Sequence, residues 1–198
     1  MNDKVSKIAK LTEEILNLED STLILERKNQ GYLPVIGEGS LKSKIMFIGE
    51  APGINEAKTG RPFIGKSGKL LDELLLSANI KREDVYITNI VKDKPPKNRD
   101  PFPSEIALYA PYLDRQLEII KPKIIATLGR FSMEYIMSRY GLENEVNSIS
   151  SLHGAVFETK MKYGEVKIIF LYHPAAAIYN QHLKETLYSD IQILKSLL

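Results

Sequence analysis

Four short runs of β-branched and other apolar residues punctuate the chain, at 44–48, 85–90, 124–128 and 166–171. Each is nearly unbroken in apolar character, the pattern of strands covered on both faces in a parallel sheet. Between them the period changes to that of helices. Residues 67–79 carry Leu70, Leu71, Leu74 and Leu75 at helical spacing, and residues 103–120 put Ile106, Leu113, Leu117 and Ile120 on one face. Pro111 predicts an irregularity in the second of these, because proline lacks the N–H of the helical ladder. Further helices are predicted over 5–18, 132–140 and 182–198. The stretch 145–164 reads as an irregular or hairpin excursion before the last strand. Alternating strands and helices predict an α/β fold with right-handed crossovers. A single domain is expected over 1–198, with 1–36 as an N-terminal helix and extended lead-in.

Composition narrows the function classes only a little. The 198 residues are 43% hydrophobic and 26% charged, ordinary for a globular domain with a substantial core. A net charge of +2 permits a local basic face for nucleic acid without requiring one. The N-terminus shows no apolar signal segment and no run is long enough to cross a bilayer, so a cytoplasmic protein with no membrane contact is expected. There is no cysteine. That excludes disulfides, thiolate metal sites and cysteine nucleophiles.

In an open parallel sheet, ligands bind beyond the carboxyl ends of the strands. That rule selects segments 49–68, 89–99, 129–130 and 172–180, which also hold the unusual concentrations of Gly, Pro, Asn, His and basic residues. Asn89 ends a strand of apolar neighbours, where it either caps a turn or offers one acceptor and two donors to a base edge. His173 follows a buried strand and precedes Pro174, a position that favours function over packing. His153 and His182 lack ligand-like spacing to it, so no metal is expected. Lys92, Lys94, Lys97 and Arg99, among Pro95, Pro96 and Pro101, form a stiff basic loop that is either solvated or set against phosphate.

Gly60-Arg61-Pro62-Phe63-Ile64-Gly65-Lys66-Ser67 fits the P-loop pattern, so a nucleotide hydrolase is one alternative. The mechanics fit poorly. The segment does not leave a strand directly, Pro62 has no N–H for phosphate, and no strand ends in an acidic residue to hold magnesium.

Gly49-Glu50-Ala51-Pro52-Gly53-x-x-Glu56 followed by Gly60-Arg61-Pro62-Phe63-Ile64-Gly65-x-Ser67-Gly68 resembles the first motif of family-4 uracil-DNA glycosylases. The resemblance continues through Val85 to Lys92 and Pro95-Pro96-x-Asn98-Arg99, and closes on His173-Pro174-Ala175-Ala176, similar to the family's second motif. It implies a three-layer α/β/α sandwich around a four-stranded parallel sheet. It implies hydrolysis of the N-glycosidic bond of uracil in DNA by base flipping, leaving an abasic site, with no cofactor in the chemistry. Phe63 would stack on the flipped base and Asn89 would read its edge, with Ala51 and Gly53 in the pocket wall. His173 would stabilise the departing base. Glu56 is the first choice to position water or exclude the thymine methyl, and Glu50 the second. Lys94, Lys97, Arg99, Arg130, Ala175, Ala176 and Tyr179 are the expected DNA contacts.

The expected partner is uracil-containing DNA, single- or double-stranded, bound by a monomer, with a sliding clamp as a second candidate partner.

Three departures stand out. Family-4 enzymes carry four cysteines that bind a 4Fe–4S cluster, and this chain places Asp93 and Tyr109 in two of those slots, with the other pair falling near Leu18 and Ser21. The cluster is therefore expected to be absent, with Asp93 meeting a cation and Tyr109 filling the vacated volume. His153 and Tyr179 stand where the family has arginines, and Tyr179 is expected either as a wedge in the base stack or as a core residue. These losses keep open a second alternative, a catalytically inactive relative that binds DNA or uracil.

Overall fold

A computed structural model describes residues 3–19, 21–142 and 148–198. The chain starts with two helices. In α1 (Asp3–Leu16), Leu11 and Ile15 face inward. In α2 (Thr22–Gln30), the Ser21 side chain accepts from the Leu23 N–H at the N-terminus, and a left-handed Gly31 closes the other end. The second helix lies in the segment read from sequence as extended. Its apolar residues, Leu23, Ile24 and Leu25, cluster in the first turn instead of recurring along a face, so periodicity gave no sign of it.

The sheet begins with β1 (Glu38–Gly39) and β2 (Ile45–Gly49), continues through helices α3 (Ile54–Thr59) and α4 (Lys66–Ser77), and reaches β3 (Tyr86–Asn89). Then follow α5 (Pro103–Ile120), β4 (Ile124–Leu128) and α6 (Arg130–Arg139). After the short α7 (Ile149–Leu152) come β5 (Val156–Met161), β6 (Gly164–Leu171), the single turn α8 (Pro174–Ala177) and α9 (Gln181–Leu197). Pro111 leaves α5 unbroken.

Among the described residues the sheet has six strands in the order β1-β3-β2-β4-β6-β5. The four expected strands form its parallel centre, and β1 and β5 add antiparallel edges. The two strands beyond the expected four carry little sequence signal, for physical reasons. β1 is two residues long, too short to show a period. β5 alternates exposed and half-buried positions, as an edge strand does, and joins β6 through a tight hairpin. The hairpin lies inside the predicted excursion, of which residues 145–147 fall outside the described residues.

Both faces of the sheet are covered. Met46 and Ile48 pack into one core with Leu11, Tyr109, Leu113 and Ile136, while Ile45 and Phe47 pack into the other with Leu71, Leu74, Leu187 and Ile191. Strand side chains alternate between faces, so an all-apolar strand requires helices on both. The result is an α/β/α sandwich.

Candidate active site

Register brings the carboxyl ends of the central strands level. Gly49 pairs with Asn89 across β2 and β3, and Leu128 with Leu171 across β4 and β6. The chain turns out of the sheet beyond these residues and leaves a cavity of about 380 Å³, lined by Glu50, Ala51, Gly53, Glu56, Phe63, Asn89 and His173 among others. Every residue expected to touch or act on the base therefore faces one pocket. Pro52, Ser67, Pro95, Asn98, Arg99, Asp100 and Ala175 complete the wall.

Asn89 lies at the bottom and is 2% exposed; its Oδ1 is buried with no hydrogen-bond partner. A buried acceptor left unpaired costs free energy, and a ligand donor would relieve it. Gly49 makes the room: a β-carbon there would stand 2.4 Å from Asn89 Oδ1 and 2.7 Å from the Phe63 ring. Phe63 holds a left-handed backbone (φ 49°), which a non-glycine residue adopts only under constraint. The constraint is visible. The chain at Gly68 presses so close to the Phe63 carbonyl that a β-carbon would lie 1.8 Å from its oxygen. Glu56 Oε1 accepts the N–H groups of Ile64 and Gly65 at 3.0 and 2.8 Å.

That last arrangement also answers the P-loop alternative. The amides that would cradle phosphate are occupied by a carboxylate, whose charge would repel an anion, and Phe63 is buried in the fold.

His173 sits opposite, its ring centroid 5.7 Å from that of Phe63. Its Nδ1 accepts the Ala175 N–H at 3.1 Å, which leaves Nε2 as the protonated nitrogen and a donor. Burial lowers its pKa to about 4, so the ring is neutral near pH 7.

The two carboxylates differ in environment. Glu56 is tied to the Phe63 loop as described. The Glu50 carboxylate has no hydrogen-bond partner among the described residues, while its main-chain carbonyl accepts the Val91 N–H. Burial, helped by the charge of Asp100 and opposed by Arg130, pushes its carboxyl up to about 7. The sequence ranking of these two residues carried no information about this difference, because it depends on where the Phe63 loop lands.

The basic loop is less exposed than its composition suggests. Lys92 is fully buried, and Lys94 is buried with its ammonium on the Pro95 carbonyl at 3.0 Å. Arg99 pairs with both oxygens of Glu105, at 2.8 and 2.6 Å, and its guanidinium lies 3.7 Å above the Phe102 ring. Lys97 is exposed. Arg130 is half exposed and 3.9 Å from Asp100. Ala175 and Ala176 are exposed, and Tyr179 is 85% exposed with its hydroxyl 3.0 Å from Lys66 Nζ. The core alternative for Tyr179 is thereby overturned. His153 stacks on Tyr172 and bonds Asp190 at 2.8 Å.

Behind the pocket, Asp93 Oδ2 accepts from the Tyr109 hydroxyl at 2.6 Å and from Arg27 at 3.1 Å. All three residues are buried. The same guanidinium donates to the carbonyls of Ile15 and Leu16, closing the end of α1. Burial raises the pKa of Asp93, opposed by Tyr109 and by Arg27. These residues do not fit a 4Fe–4S cluster: the chain has no thiolate, and the Asp93 and Tyr109 side chains bond to each other instead of leaving a cradle. Among the described residues no group of side chains suits a metal ion.

Fold and site define an α/β/α domain with a pocket at the carboxyl ends of its central strands. Residues 36–192 match the Uracil DNA glycosylase superfamily, to which the chain therefore belongs. Within it, the chain groups with type-4 members. It is 45% identical over 194 residues to the type-4 uracil-DNA glycosylase of Sulfurisphaera tokodaii, covering 98% of this chain and 86% of that one. It is 45% identical to that of Archaeoglobus fulgidus (85% and 82% covered) and 40% to that of Thermotoga maritima (82% and 81%). No helix among the described residues is long and apolar enough to cross a membrane.

Proposed function

We propose that this chain is a DNA-repair glycosylase that hydrolyses the N-glycosidic bond of uracil in DNA. The observation that carries the reading is the unpartnered, buried Oδ1 of Asn89 at the bottom of a cavity flanked by Phe63 and His173. A uracil flipped into that cavity stacks on Phe63, a contact worth roughly 1–3 kcal/mol. Its N3–H donates to Asn89 Oδ1, and the amide nitrogen donates to O4. Cytosine presents an acceptor at N3 and a donor at position 4, so it leaves buried groups unpaired and is rejected.

As the bond from C1′ to N1 breaks, positive charge grows on the sugar and negative charge on the base. The neutral His173 donates from Nε2 toward uracil O2, stabilising the anion without a proton having to be supplied. Water attacks C1′, and Glu50 orients it and accepts its proton. Glu50 takes this part over Glu56 because it is unpaired and its raised pKa suits a base near neutrality. Glu56 acts indirectly, by holding the loop that carries Phe63.

The domain is built without the cluster of its relatives, the Arg27–Asp93–Tyr109 network standing in its place. A monomer is the expected working form, because the pocket lining described needs no residue from a second copy. Its substrate is uracil-containing DNA, approached through Lys97, Arg130, Ala175, Ala176 and Tyr179.

The test is direct. A uracil-containing oligonucleotide is incubated in EDTA and then treated with alkali to break abasic sites. Strand breaks that disappear in Asn89→Ala and His173→Ala are expected. Binding without breaks in the wild type would instead identify an inactive relative.

A further inference from the structure

Lys92 is fully buried, three residues beyond Asn89, and does not line the pocket. Its ammonium contacts Gln116 Oε1 at 2.6 Å, the Asn89 main-chain carbonyl at 2.7 Å and Thr88 Oγ1 at 2.8 Å. Each of these is an acceptor. The Asn89 oxygen is a carbonyl. Thr88 spends its hydroxyl hydrogen on the Ile36 carbonyl at 2.6 Å, so only lone pairs face Lys92. Gln116 is oriented by its own donors, because Nε2 gives to the Ile36 carbonyl at 2.8 Å and to Tyr86 at 3.1 Å, which turns Oε1 to Lys92. Three acceptors require three N–H donors, and only the charged ammonium has three. Burial pushes the pKa of this amine well below its ordinary value, and the three acceptors, which bond the charged form, work against that.

Among the described residues no carboxylate bonds Lys92, and the adjacent Asp93 is taken by Arg27 and Tyr109. Buried cations are ordinarily paired, because an unpaired one is costly to desolvate. This one lies beneath the last residue of β3, whose side chain lines the pocket. A positive charge in a water-poor interior acts over several ångströms with little screening.

We propose that Lys92 is a positioning residue of the uracil pocket: its ammonium fixes the Asn89 main chain from beneath and sets an uncompensated positive charge under a base that departs as an anion. The inference rests on the uracil reading above and adds to it a positive charge with no carboxylate partner among the described residues, unlike the pocket-lining Arg99, which Glu105 pairs. His173 stabilises one oxygen of the base by contact, whereas Lys92 acts through Asn89 on the base as a whole.

Gln116→Glu separates charge from scaffold. It keeps an acceptor oxygen against Lys92 and adds the missing counter-charge but gives up the Nε2 donors to Ile36 and Tyr86. Gln116→Met, which loses the same donors without adding a charge, is the control for that loss and should slow excision less. Lys92→Met removes the charge at similar length. The full chain is assayed under single-turnover conditions on an oligonucleotide with one deoxyuridine. Binding is measured on the non-cleavable 2′-fluoro analogue. Gln116→Glu and Lys92→Met should excise uracil about tenfold or more slowly, with analogue affinity changed less than about threefold, because the field acts where charge develops. A Gln116→Glu rate less than about fivefold below wild type overturns the proposal, as does a loss of rate matched by an equal loss of analogue binding. If a variant does not fold, His173→Ala decides: with that contact donor gone, ultraviolet titration of bound uracil should still show its ionisation moved to lower pH than in free uracil, and an unmoved ionisation overturns the proposal. Wild-type excision is the control. If it is absent, the uracil reading fails; if it is present and Gln116→Glu matches it, only the role of Lys92 fails.

Discussion

Gly49 and Asn89 are register partners across two parallel strands, and the missing side chain of the first is the space in which the amide of the second sits. A β-carbon on Gly49 would press on both Asn89 Oδ1 and the Phe63 ring, the two groups that frame the base. Gly49→Ala should therefore displace both and lower excision by roughly 100-fold, the scale of a 1 Å misplacement of reacting groups. Single-turnover rates beside a thermal melt check this. A normal rate in the folded variant would show that the pocket tolerates the methyl group.

The pH dependence follows from Glu50. Its carboxyl is raised to about 7, so its basic form is lost as pH falls through that value. Excision should rise between about pH 6 and 8, and Glu50→Gln should flatten that limb and lower the plateau by about 10² or more. His173, at about 4, contributes no limb in this range. Its effect is on stability. The folded pKa lies below the ordinary 6.5, so the unfolded chain binds more protons and stability falls as pH drops from 6.5 toward 4. Urea melts of wild type and His173→Ala across that window should diverge.

The Arg27–Asp93–Tyr109 network should behave as a buried ion pair. Arg27→Met strands the Asp93 carboxylate and should cost about 3–5 kcal/mol, whereas Tyr109→Phe removes one hydrogen bond and should cost about 1–3 kcal/mol. Denaturant titration measures both. Protein made in iron-rich medium should hold substoichiometric iron by elemental analysis; a full complement of four iron atoms per chain would show that other ligands hold a cluster.

Tyr179 is exposed beside Lys66 on the turn that follows His173. A ring presented this way can fill the gap left in a duplex by a flipped base. Tyr179→Ala should weaken excision from duplex DNA by about tenfold, near the roughly 1–3 kcal/mol of one stacking contact, and leave single-stranded excision nearly unchanged. Equal losses on both substrates would assign the ring a general DNA contact.

Much of this protein is written locally. Four buried strands announce themselves as apolar runs, because a strand covered on both faces has no polar position to spare. Their ends are marked by Gly, Asn and His, which sets Asn89, His173 and the segment that holds Phe63 at one edge of the sheet, while the part given to Phe63 comes from the family resemblance. Short or edge elements escaped for the converse reason: β1 has no room for a period and β5 keeps one face in solvent.

What the tertiary structure alone decided is which polar atoms are spoken for. Glu50 and Glu56 are chemically alike and six positions apart, yet one carboxylate holds the Phe63 loop and the other stands free with a raised pKa. Lys92 and Lys94 read as a basic surface and are turned inward, and Arg99 is claimed by Glu105. Asp93 finds its cation 66 positions away in Arg27. Hydrogen-bond partners and desolvation arise from contacts between distant segments, and a local pattern carries no record of them.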